Sequence, residues 1–276
     1  MSNVVATNLF SLNAQRNLAN NSMGMNTAME RLSSGLRVNG AKDDAAGLAV
    51  AERMNAQARG MGVAIRNASD AISMVNTAEG ALQQVTDTLQ RMRELAVQSA
   101  NGTYDTEDRA LIEKEFVQLQ SELERIADVT QFNGQKILDG TIGSGGTVTF
   151  QVGANTDAGI DTIDVEFGDA KSTVANMGSI ATVDGANSAI GAIDTALDSI
   201  AEIRADLGAA NNRFEATIIN LRNAQENQMA AKSRIMDADF AAETAALTKA
   251  QVLQQSGIAI LAQANQAPQA VLGLLR

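Results

Sequence analysis

Apolar residues near the start of the chain recur at helical spacing: Met25, Met29, Leu32 and Leu36 advance by four, three and four. The pattern predicts a helix that stops at Gly35, with a second break at Asn39 and Gly40. Ile65, Ala68, Ile72, Val75, Leu82, Val85, Leu89, Met92 and Ala96 then alternate three- and four-residue steps, interrupted at Glu79. That is a coiled-coil seam, and it spans roughly 50 Å at ~1.5 Å per residue. Asn101 and Gly102 stop it, and Asp105 with Thr106 offers a new N-cap. Ile112, Phe116, Leu119, Leu123 and Ile126 repeat the seam, which predicts a helical hairpin, and Phe132, Asn133 and Gly134 leave the helix.

Between Gly140 and Gly185 the period changes to two, through Val148, Phe150 and Val152 and then Ile163, Val165 and Phe167. This is a short β-hairpin that forms a tip. Helical spacing returns at Ile190, Ile193, Leu197, Ile200, Leu207, Phe214, Ile218 and Leu221, a third long helix able to pack back on the first two. Near the end, Leu247, Val252, Leu253, Ile258, Ile260 and Leu261 make a wide apolar face that implies more than one packing partner, and Pro268 is expected to end or bend that helix. The expected fold class is mainly α: a long antiparallel helical bundle or coiled coil with paired terminal helices and a small β-hairpin tip. Residues 1–40 and 235–276 form the paired terminal domain in this reading, and 41–234 a rod carrying the hairpin at about 141–185.

The distribution of charge sharpens the picture at the ends. Every acidic residue lies between Glu30 and Glu243, residues 1–15 carry no charge, and none occurs between Lys249 and Arg276. A solvated helix displays charge on its outer face, so quiet ends of this kind imply burial on that face too. Two such helices bury little area by themselves, and contacts with other copies of the chain would complete them. Self-assembly is therefore expected, with Leu9, Leu12, Met25, Met29, Leu32, Leu36, Leu247, Leu253, Ile258, Leu261, Leu272 and Leu275 as the polymerisation interface.

Composition narrows the chemistry. A net charge of -11 disfavours nucleic acid and anionic membrane as partners, because phosphate neutralisation requires clustered Lys and Arg. The chain has no Cys and no His, which removes thiol nucleophiles, most zinc chemistry and the commonest proton shuttle near neutral pH. Aromatic residues make up 3%, too few for a ring-lined pocket. No cofactor and no enzymatic activity are expected. The first residues lack the basic and apolar regions of a cleaved signal peptide, and no apolar run reaches the ~18 residues of a membrane span.

Three blocks and the tail carry a family resemblance. RLSSGLRVNGAKDDAAGLAVAERM at 31–54, LQRMRELAVQSANGT at 89–103 and TQFNGQKIL at 130–138 closely resemble the N-terminal half of bacterial flagellins. SRIMDADFAAETAALTKAQVLQQSGIAILAQANQAPQAVLGLLR at 233–276 is similar to the flagellin C-terminus nearly throughout. The likeness covers essentially the whole chain and is weakest from about 141 to 185. It implies a flagellar filament subunit whose terminal helices line an inner tube and whose long helices surround it. It also implies unfolded passage through the flagellar type III export channel, and a dedicated export chaperone covering residues 233–276. Filament cap and hook-junction proteins are implied as further partners. The large outer domains frequent in the family are missing here, so a thin, smooth filament is expected.

Candidate sites divide sharply. Asp43, Asp44 and Glu52 resemble paired carboxylates only superficially, because no His accompanies them and acidic groups suit a helix start. Gly60 with Gly62, and Gly143 to Gly146, lack the Lys and Ser or Thr of a phosphate loop and read as flexible joints. Met23, Met25 and Met29 read as adaptable packing. Arg91 and Leu95, one turn apart, are expected to share a face with Glu115 of the next helix. The flagellin resemblance assigns those three to the Toll-like receptor that senses flagellin, and Leu272, Leu274 and Leu275 to cytosolic inflammasome sensors. A hook-filament junction protein, a filament-displayed zinc peptidase and a non-polymerising coiled-coil adaptor are the rival readings; the second requires His residues that are absent.

Overall fold

A computed structural model describes residues 7–273 apart from Ala158, and for 267–273 the helix alone. Its elements in chain order are α1 (Leu9–Ser34), α2 (Ala45–Ala100), α3 (Thr106–Val129), β1 (Gln131–Phe132), β2 (Gln135–Lys136), β3 (Thr147–Gln151), β4 (Thr162–Glu166), α4 (Ala170–Val174), α5 (Val183–Met236) and α6 (Phe240–Gly273). The mainly α class with a small hairpin is as the sequence predicts. Two compact units emerge, one of residues 57–226 and one joining residues 1–56 to 227–276.

The 57–226 unit is a three-helix antiparallel packing of α2, α3 and α5. The predicted seam is the observed one: Leu82, Val85, Leu89 and Met92 of α2 meet Phe116 and Leu123 of α3 and Ile193, Ile200, Leu207 and Phe214 of α5, all buried. Small residues such as Ala68, Ala71, Ala78 and Ala196 let the helices approach closely between the larger side chains. The expected interruption at Glu79 is not one, because Ala78 is fully buried and carries the seam from Val75 to Leu82, while Glu79 beside it finds a partner on α5. Arg204 of α5 reaches across and donates from Nε and Nη2 to Glu79 Oε1 at 2.9 and 2.7 Å, and from Nη2 to Gln83 Oε1 at 2.7 Å.

Asp105 caps α3 as expected, its side chain accepting from the Asp108 N–H at 2.9 Å. Beyond α3 the structure adds a hairpin absent from the sequence reading: β1 pairs with β2 around Asn133 and Gly134, whose φ values of 51° and 80° are those of a tight Asn-Gly turn. Asp128, at the end of α3, accepts from Lys136 of β2 at 2.8 Å and from Lys171 of α4 at 3.0 Å. Those hydrogen bonds, the Lys136 one foremost, hold its carboxyl below the usual range. The predicted tip hairpin forms in the expected alternation, with Val148 opposite Val165 and Phe150 opposite Ile163. Phe150 then meets Phe214 edge to face at 5.5 Å, which fastens the hairpin to α5.

Two expectations are corrected. Gly60 and Gly62 are not joints but lie inside α2. A β-carbon on Gly60 would sit 2.9 Å from the Ala154 methyl, so glycine is there to admit the loop at Ala154 against the helix. Pro268 neither ends α6 nor marks its limit, since the helix runs on to Gly273. The compensation for that proline lies in the terminal pair.

Candidate functional site

The unit built from both chain ends centres on the antiparallel pair of α1 and α6. Its seam is narrow because the facing residues are small: Ser11, Ala28 and Ala250 are nearly covered, and Leu18 packs against Gly257. Polar groups set the register of the pair. Asn21 donates to the Ala250 carbonyl at 2.7 Å, Ser11 donates to Asn265 Oδ1 at 2.8 Å, and Arg31 meets Glu243 at 3.1 Å in a partly buried ion pair.

Asn8 joins the two helices with both ends of one amide. Its Oδ1 accepts from the Ser11 N–H at 3.1 Å and so caps α1, while its Nδ2 donates to the Ala264 carbonyl at 2.7 Å. Ala264 stands four residues before Pro268, which has no N–H to give it. The asparagine supplies the hydrogen bond that the proline withholds, and α6 crosses Pro268 with that carbonyl satisfied.

The linkers that follow the pair are equally specified. Gly35 ends α1 at φ 71°, in the left-handed conformation of a helix C-cap, as the sequence predicts. Leu36 falls beyond α1, where its backbone bridges Asp237, so it does not extend the α1 face that its spacing implied. Arg37 serves the last turn of α5: Nη2 donates to the Arg234 and Ile235 carbonyls at 3.3 and 2.6 Å, and its backbone N–H to the Met236 carbonyl at 2.6 Å. A cation at a helix C-terminus also opposes the helix dipole. Asp43 accepts from the Asn39 and Gly40 N–H groups, and Asp44 from the Gly47 N–H at the start of α2. Both carboxylates are thus occupied with backbone, and no cluster of three metal-ligating side chains occurs among the described residues.

Around this pair a broad apolar surface stays open. Of the expected interface, Leu9, Leu12, Met29, Leu253 and Ile258 are exposed, whereas Met25, Leu32, Leu247 and Leu261 are half-buried. Leu272 and Leu275, like Leu274, lie outside the residues whose side chains are described. Phe10, Met23, Phe240, Val252 and Ile260 are exposed too; the sequence pattern had placed Val252 and Ile260 on an apolar face and Met23 in packing, but missed Phe10 and Phe240. Phe10 and Phe240 each sit at a helix start, where no periodic run had yet begun to flag them.

On the 57–226 unit, Arg91 donates to Glu115 at 3.0 Å and to Glu94 at 2.9 Å, and those hydrogen bonds hold its guanidinium above its ordinary value. All three side chains are solvated. Leu95 is not part of that face: it is 3% exposed, drawn inward beside Met92 and Ala96 in the seam. No helix among the described residues is long and apolar enough to cross a membrane.

The family profile described as bacterial flagellin N-terminal helical region matches residues 5–142, and that for the C-terminal helical region matches 190–275. The chain is 51% identical to a flagellin of Halalkalibacterium halodurans over 99% of its own length and all of the relative's. It is 47% identical to the flagellar filament 33 kDa core protein of Treponema phagedenis, again over 99% of this chain and the whole of the relative. Among solved structures, the crystal structure of Bacillus cereus flagellin superposes with a TM-score of 0.51 at 35% identity, covering 56% of this chain and 88% of that one. Two profiles in the right order, with full-length relatives of nearly the same size, establish that this chain belongs to the bacterial flagellin family.

Proposed function

We propose that the chain is a structural subunit of an extracellular flagellar filament and polymerises through the open faces of α1 and α6. The observation that carries this reading is the apolar surface left around a narrow pair: Leu9, Phe10, Leu12, Leu253, Ile258 and Ile260 are all about half exposed or more. Helices so furnished gain stability from further burial, at roughly 25 cal/mol per Å². A second copy is the fitting cover, because a full-length relative is named a filament core protein. Residues 1–40 and 235–276 form the inner tube and 41–234 the layer around it, and the stacked helices carry motor torque as a propeller. Export through the flagellar type III channel, a chaperone on 233–276, and capping and hook-junction proteins at the filament ends belong to the same reading. Electron microscopy of concentrated pure protein is expected to reveal long tubes, and persistent monodisperse monomer would oppose the proposal.

A second role rests on the solvated Arg91–Glu115 pair, which offers both charges of a docking surface to the flagellin-sensing Toll-like receptor. Leu95, being in the core, serves that surface by seating α2. Arg91→Ala is expected to lower receptor signalling at least ~10-fold with thermal stability unchanged, since exposed ion pairs contribute about 0–1 kcal/mol. Leu95→Ala should lower both, and undiminished signalling from Arg91→Ala counts against the site. The tail leucines 272, 274 and 275 remain the segment proposed for inflammasome sensors.

A further inference from the structure

Methionine is the readily oxidised side chain that this sequence offers in quantity: there are 11, against no Cys, no Trp and one Tyr. Burial separates them. Met74, Met92 and Met177 are nearly covered, and Met25, Met54, Met61 and Met236 are half-buried. Met229 of α5 is 47% exposed, and the most exposed of the described methionines are Met23 and Met29 of α1, at 62% and 51%. Both therefore belong to the surface of α1 that α6 leaves uncovered, and on the filament reading that surface is closed by neighbouring copies. Their sulfurs are open to small oxidants in the monomer and shielded once the chain is packed.

We propose that Met23 and Met29 are an oxidation-sensitive pair, whose conversion to sulfoxides by a peroxide blocks the packing of α1 against a second copy. The inference rests on the filament reading. In the step, a sulfur lone pair attacks one oxygen of hydrogen peroxide, the S–O bond forms and the O–O bond breaks. The second oxygen leaves as hydroxide and takes up the proton that the sulfur-bound oxygen releases, giving sulfoxide and water, so sulfur loses two electrons and the peroxide gains them. A flexible apolar thioether becomes a polar, chiral group with a strong acceptor oxygen. On the filament reading the new oxygen gives up its water on packing against a neighbouring copy, which costs free energy wherever no donor replaces it. Two thiol-dependent methionine sulfoxide reductases, one for each sulfoxide epimer, together reverse the change, which makes the block reversible.

The test uses the full-length protein, half-oxidised with hydrogen peroxide as monomer, allowed to assemble beside an untreated sample and sedimented. Peptide mapping is expected to find sulfoxide at Met23 and Met29 enriched at least ~10-fold in the unassembled fraction. Treatment of that fraction with both epimer-specific reductases is expected to restore assembly. Equal partitioning of the two sulfoxides between pellet and supernatant, or enrichment confined to other methionines, overturns the inference. Failure of the untreated sample to assemble overturns the filament reading and this inference together, and that arm tells the two failures apart.

Discussion

Removal of residues 240–276 is expected to abolish filament formation while leaving the 57–226 unit folded. That deletion takes away all of α6, and with it the seam partner of α1 and half of the open apolar surface. The cores do not share these residues: Phe116, Leu123, Leu207 and Phe214 lie wholly within residues 57–226. Circular dichroism should therefore retain a cooperative helical transition, and sedimentation should find no polymer at any concentration that suffices for the full chain. Filaments from the truncated chain would show that α6 is not the assembling element.

The second large effect belongs to Asn8. Asn8→Ala removes the α1 cap, worth ~1 kcal/mol, and leaves the Ala264 carbonyl without its donor, a further ~1–3 kcal/mol. If the terminal pair orders as each subunit joins, about 2 kcal/mol raises the critical concentration for assembly roughly 30-fold. Asn8→Asp separates the two roles, because a carboxylate still caps the helix but has no N–H to donate. Its defect should be intermediate. Pro268→Ala restores a backbone donor four residues after Ala264, so the Asn8→Asp, Pro268→Ala double variant should recover most of the loss. A double variant no better than Asn8→Asp alone would mean that the proline does not orphan that carbonyl.

The long-helix architecture was legible because its apolar steps are nearly unbroken: of the predicted residues from Ala68 to Ala96 all but Ile72 are buried, although Ala71, Met74, Ala78 and Leu95, buried with them, were not picked out for the seam. The tip hairpin was legible for the same reason at period two. What escaped the sequence reading depended on partners far away along the chain. Glu79 looked like a fault, but Ala78 carries the seam and Glu79 pairs with Arg204 from across the bundle; Gly60 looked like a hinge until the Ala154 loop came against it. Pro268 is a helix breaker by local rules, and only a donor from residue 8 changes its meaning. The Asn133-Gly134 hairpin was the exception, since that dipeptide flanked by short extended pairs is a local turn signal that could have been read.

For the candidate surfaces the lesson is similar. Spacing located the apolar faces of α1 and α6 but could not say which members the pair itself would half-cover, and it separated Met25 from Met29 in no way. Helical adjacency placed Leu95 beside Arg91, although the offset of about 40° between positions four apart is enough to turn it from solvent into the seam. Arg37, which ties the first linker to the end of α5, carries no sequence signal beyond a basic residue after a glycine cap.

The central claim is that the terminal helices owe their order to sister molecules, and amide hydrogen exchange measures it most directly. In dilute monomer, residues 9–34 and 240–266 should exchange within seconds while residues buried in the 57–226 core stay protected; in sedimented filaments the same terminal segments should become as slow as that core. Terminal segments already protected in the isolated monomer, to the level of the core, would contradict the account.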